Sequence, residues 1–128
     1  MKLIFILLIP FLFFRVSLKA QPPPGNSPQP KVIDAFLDFL TEKIQLTPTE
    51  RKQMRPLVLG YFSETKRINK TITDPLQREQ ERAALKISYR KSFTPVLGNE
   101  RATRFFTEEQ LFRKKIKEVL KGRNVNKN

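Results

Sequence analysis

The run Leu46-Thr47-Pro48-Thr49-Glu50, continued by Arg51 to Phe62, decides the fold. Thr47 is placed as a helix N-cap: its hydroxyl can accept from the backbone N–H of Glu50 while the Glu50 carboxylate accepts from the N–H of Thr47. Pro48 then falls at the first helical position, where its missing N–H costs nothing. Leu46, just before the cap, can meet the apolar stripe one turn later and fix the entry angle of the chain. A helix starts here, and its flanks read as helices too.

Upstream, Val32, Ile33, Phe36, Leu37, Leu40 and Ile44 recur at three- and four-residue spacing, giving a helix of about fourteen residues from Lys31 with Asp34, Asp38 and Glu42 on its other side. The helix opened by Thr47 carries Met54, Leu57, Val58, Tyr61, Thr65 and Ile68 along one face, with a kink or local break expected at Lys52 to Arg55 because Pro56 lies inside it. Asp74, Pro75 and Gln77 repeat the capping logic and start a third helix, expected to end near Ser92. Its apolar content is thin, mainly Leu76, Ala83, Ala84, Leu85, Ile87 and Tyr89. Thr94, Pro95 and Gly98 interrupt the pattern, and a fourth helix from about Asn99 to Lys121 carries Ala102, Phe105, Phe106, Phe112, Ile116, Val119 and Leu120. Nothing reads as a strand. The expectation is an all-α fold of about four amphipathic helices over residues 31–121, with a frayed tail at 122–128.

Residues 1–20 read as a secretory signal: Lys2 supplies a positive start and Leu3 to Phe14 is an apolar run of twelve. At 1.5 Å per residue that run reaches about 18 Å, short of a bilayer core of about 30 Å, so cleavage is favoured over an uncleaved anchor. Residues 21–30, QPPPGNSPQP, form a polyproline-like linker. The chain's formal charge of +13 falls to +10 once Lys2, Arg15 and Lys19 are removed with the signal. For an exported chain this excess points away from nucleic acid and toward acidic protein surfaces or anionic lipid. The sequence contains neither Cys nor His, which removes disulfides, thiolate ligands and the usual neutral-pH base. No spacing of carboxylate, Lys or Ser singles out a catalytic group, so no enzyme and no cofactor is expected.

An exported, basic, all-helical chain whose second helix opens with Leu46, Thr47, Pro48, Thr49 and Glu50 resembles the bacterial periplasmic Spy/CpxP group, known for an LTxxQ motif. Glu50 stands where the motif has Gln, a swap the capping box tolerates. Leu97, Gly98, Asn99, Glu100 and Arg101 look like a degenerate second copy, lacking both Thr and Gln. The segment Val96 to Phe112 is also similar to proteins labelled periplasmic heavy-metal sensors or sensors linked to ECF-type sigma factors. The resemblance implies a Spy-like helical-hairpin arrangement, dimeric, holding unfolded or acidic protein clients without ATP. Its alternative is a regulatory subunit docking on a membrane stress sensor or an anti-sigma protein. Metal-sensing relatives bind through His, which this chain lacks.

Four sets of residues carry the site expectations. The motif itself is Leu46, Thr47, Pro48 and Glu50. Arg78, Arg82, Lys86 and Arg90 follow at four-residue steps as a drifting positive ribbon on the third helix, beside Leu85, Tyr89 and Phe93, and could attract an acidic client. Leu59 and Phe62 lie off the main stripe of their helix and are expected at a dimer or client surface, whereas Phe105, Phe106 and Phe112 read as core. The pairs Glu79/Glu81 and Glu108/Glu109 could offer oxygen to a metal, but solvated helix faces are the expected role of both.

Overall fold

The computed structural model describes residues 30–125, so the expected signal at 1–20, all of the expected Pro-rich linker except Pro30, and residues 126–128 lie outside the described residues. Thr47 caps as its position demands, at φ −71° and ψ 160°: Glu50 N donates to Thr47 Oγ1 over 3.1 Å and Thr47 N donates to Glu50 Oε1 over 3.0 Å. Four helices follow in chain order: α1 Pro30–Ile44, α2 Pro48–Thr71, α3 Pro75–Leu97 and α4 Asn99–Val125. Among the described residues there is no strand. Asp74 caps α3 through Leu76 N, again with Pro at the first position. Gln45, which ends α1 with φ of 58°, takes the left-handed conformation that lets a chain leave a helix. Each helix packs on the next in sequence, and α4 closes back against α1.

The middle of this ring of helices is aromatic. Phe36 from α1 is fully buried and meets Phe62 at 5.0 Å, Phe112 at 5.1 Å and, edge-on, Phe105 at 5.4 Å between ring centroids. Tyr61 from α2 reaches further, touching Tyr89, Phe93, Phe105 and Phe106. Tilted and edge-to-face pairs of this kind add about 0.5–1.5 kcal/mol each beyond area burial. Ile33, Leu37, Leu40, Met54 and Val58 fill the remaining gaps with no exposed surface. By contrast α3 buries only Phe93 and Leu97, both near its C-terminus, in keeping with its thin apolar face.

Two helix ends and one interior position differ from the sequence expectation. The third helix does not stop at Ser92 but continues through Thr94 and Pro95 to Leu97. Phe93 and Leu97, four apart and both buried, draw that last turn onto the core, and this packing outweighs the hydrogen bond Pro95 cannot donate. The turn ends only at Gly98, whose φ of 81° and ψ of 166° fall in a region essentially reserved for glycine. Pro56 leaves α2 unbroken in its hydrogen-bonded extent; it and Lys52, whose carbonyl loses its partner, are both exposed, where water can replace the missing donor. Finally α4 passes Gly122 and extends to Val125, where a frayed tail was expected.

α2 and α3 approach closely because of Gly60. A Cβ added there would stand 2.7 Å from the Tyr89 phenolic oxygen, too close without movement of a ring held by Tyr61 and Phe93. Gly60→Ala should gain about 1 kcal/mol of helix propensity and lose about 2 kcal/mol to overpacking, for a net cost of about 1 kcal/mol. In a Tyr89→Phe background the obstructing oxygen is gone and the same change should stabilise by about 0.5 kcal/mol. Urea unfolding of the four variants in the cycle reads the difference, and an equal cost in both backgrounds would contradict this packing.

Candidate functional site

Side chains from all four helices line a groove of about 520 Å³. Tyr61, Phe62 and Phe112 form its floor, and Val32, Leu85 and Ile116 add apolar surface nearer the mouth. Arg82 and Lys86 of α3 face Arg113 and Lys117 of α4 around it, with Thr65, Asn69 and Gln110 as neutral polar lining. Phe62 and Phe112 are 7% and 6% exposed, so the apolar surface open to a visitor is mainly that of Val32, Leu85 and Ile116.

One acid lies within this basic setting. Glu109 is buried, accepts from Tyr61 Oη over 2.8 Å on Oε1 and from Arg113 Nε over 2.7 Å on Oε2. Arg113 also stacks over the Phe62 ring, 4.8 Å from its centroid. Burial, and then the Glu109 charge and hydrogen bond, push the Tyr61 phenol far above its ordinary range. Tyr61 is therefore a fixed donor, not a proton carrier. Glu109 departs from the expectation of a solvated face: Ala102, Phe105, Glu109, Phe112 and Ile116 share one stripe at three- and four-residue spacing, so α4 turns it inward. Glu108 is half-buried, with Oε2 shielded and lacking a hydrogen-bond partner among the described residues, whereas Glu79 and Glu81 are exposed. Among the described residues no three or more acidic groups gather where they could hold a metal ion.

The expected ribbon divides. Four-residue steps advance about 40° around a helix, so Arg78 to Arg90 spread over about 120° and meet different surroundings. Arg82 and Lys86 reach the groove; Arg78 instead donates from Nε to the Ile72 carbonyl at the end of α2 over 2.9 Å. Arg90 sits with Lys91, Thr94, Pro95, Asn99 and Thr103 around a second, shallower depression at the α3–α4 junction. Phe62 is corrected from surface to core: it follows Val58 by four residues and precedes Thr65 by three, which places it inside. Leu59 is half-buried against the same core.

The motif residues make a different kind of site. Leu46 is buried, and Glu50, besides closing the capping box, receives both Nη atoms of Arg101, one at 2.9 Å. Arg101 Nε donates to the Leu97 carbonyl over 3.0 Å, and Nη1 lies 3.5 Å from the carbonyls of Ile44 and Gln45. The Leu46 run and its faint echo at Leu97 are thus clasped together by one guanidinium. Hydrogen bonding to Arg101, then to the Thr47 backbone, holds the Glu50 carboxyl down at about 2. These residues lock α1, α2 and α4 at one end and do not line the groove.

No family model, curated protein or solved structure matches the chain. The reading of function rests on the groove and the motif.

Proposed function

We propose that this protein is an exported binding protein of Spy/CpxP type that holds partly unfolded or acidic protein segments without ATP, as a dimer of helical hairpins in the periplasm. What supports this reading is the groove, where Arg82, Lys86 and Lys117, beside the Arg113–Glu109 pair, surround apolar surface from Val32, Leu85 and Ile116. Cations attract an acidic segment at long range, and shallow apolar contact retains it weakly enough to let go. Reversible holding of this kind needs no bond-making chemistry. Glu109, already satisfied by Tyr61 and Arg113, does not oppose an anionic visitor as a free carboxylate would.

The test is suppression of client aggregation by purified protein at low and high salt. Suppression should be evident at modest molar excess and should largely vanish at about 1 M salt, where the screening length is about 3 Å. Arg82→Gln with Lys86→Gln should weaken it roughly five-fold, as the loss of two solvent-side ion contacts implies, while Arg90→Gln with Lys91→Gln should leave it unchanged. Suppression indifferent to salt, or absent altogether, would sink the proposal.

A further inference from the structure

Every residue from Lys114 to Arg123 on α4 is exposed, although this stretch is ten residues of continuous helix. This end of α4 gains nothing from packing on the core, so a surface that covers one face would stabilise it. The stretch has such a face. Ile116, Val119 and Leu120, exposed at 37%, 49% and 52%, fall on one stripe that continues from buried Phe112 and meets exposed Val32 at the groove. Lys115 and Lys117 flank the stripe on its two sides, Arg123 ends it, and Lys114 and Lys121 project from the opposite side; Glu118 is the one acid in the segment.

We infer that this end of α4 lies flat on an anionic lipid surface, with Ile116, Val119 and Leu120 in the headgroup boundary and the flanking Lys115 and Lys117, with Arg123, toward lipid phosphates. Charge selects this occupant over a second copy of the chain. A two-fold pairing through the stripe would set Lys115 and Arg123 against the same residues of the partner, whereas an anionic leaflet pairs all of them. A strong basic face beside a narrow apolar one is the pattern of helices that lie in the interface, and no described helix is long and apolar enough to cross a membrane. The inference goes beyond client binding: it shares Ile116 and Lys117 with the groove but holds whether or not the groove takes clients.

Because the sequence contains no cysteine, a single thiol can be placed at will. The full chain carrying Val119→Cys, labelled with an environment-sensitive fluorophore, is titrated with phosphatidylserine-rich vesicles and with pure phosphatidylcholine vesicles. Leu111→Cys, exposed on another side of α4, is the matched control. The label at 119 should shift to the blue with anionic vesicles only, and the label at 111 should not. Lys115→Gln and Lys117→Gln should each weaken the titration about five-fold, Lys114→Gln and Lys121→Gln, on the far side, much less, and Arg90→Gln with Lys91→Gln should not move it. Equal shifts at 119 and 111, or equal response to neutral vesicles, would overturn the inference. So would a shift at 119 that needs no lipid, rises with protein concentration and marks a contact between copies.

Discussion

Tyr61→Ala is expected to cost about 4 kcal/mol, the range for emptying a large aromatic site in a closed core. For a domain of this size that should lower Tm by roughly 15–25 °C. The side chain is 2% exposed, and its ring is the point where α2, α3 and α4 meet: Tyr89, Phe93, Phe105 and Phe106 all rest on it. Its hydroxyl adds a second, separable loss. Tyr61→Phe keeps the packing but leaves Glu109 Oε1 buried without its donor, which should cost about 2 kcal/mol. Adding Glu109→Met to Tyr61→Phe removes both partners and should recover at least half of that cost, since an apolar pair of similar volume is close to neutral. Urea denaturation of the single and double variants provides the cycle. If the double variant is worse than either single one, Glu109 is supported by something other than Tyr61 and Arg113. Alkaline pH gives an independent check: the folded phenol is raised, so its contribution is full below the unfolded value of about 10 and is lost as pH rises beyond that.

The second large effect lies at the motif. Arg101→Ala should cost about 2–3 kcal/mol, because it strips Glu50 of both guanidinium bonds and frees the Leu97 carbonyl. Arg101→Lys should recover little of it, since one ammonium cannot reproduce a planar fork shared among several acceptors. The sign with pH follows from Glu50. Its carboxyl is held at about 2 in the fold, against an ordinary value of 4.5, so its stabilisation is complete above that ordinary value and is lost as pH falls toward 2. With the side chain 16% exposed, the stake is about 2 kcal/mol after allowance for solvent screening. Glu50→Gln restores the residue of the LTxxQ pattern and keeps an oxygen for the Thr47 N–H. It should therefore lose about 1–2 kcal/mol at neutral pH yet be flatter than the parent between pH 4.5 and 2. Thermal melts across that window compare the two, and parallel curves would show that Glu50 does not bear the charge-dependent part.

How far the sequence alone reached can be judged residue by residue. The starts of α2 and α3 were readable because capping is local: Thr47 with Glu50, and Asp74 with Pro75, satisfy neighbours within a turn. The core faces of α1 and α2 were readable from period alone. The end of α3 was not, since Pro95 is a local stop signal overruled by distant packing of Phe93 and Leu97. Glu109 and Phe62 both sat on legible stripes, but side-chain chemistry in one case and stripe width in the other drew the reading outward. The Glu50–Arg101 clasp spans fifty-one positions, and no local rule announces it. The basic ribbon drifts around α3 as its four-residue steps require, and which of its members line the groove, Arg82 and Lys86, depends on how α3 packs, which spacing does not announce.

Gly98 gives the molecule a lever. α3 and α4 are joined through that single residue, with no loop to take up slack. Leu85 and Lys86 stand twelve or thirteen positions before it and Arg113 to Lys117 fifteen to nineteen after it, so the mouth of the groove lies roughly 20–28 Å out along each arm. A change of about 10° in the angle set at that junction would displace the arm tips by about 4 Å. The spacing of Leu85 and Lys86 from Arg113 and Lys117 at the groove is thus sensitive to the torsions of one glycine at the far end of both helices.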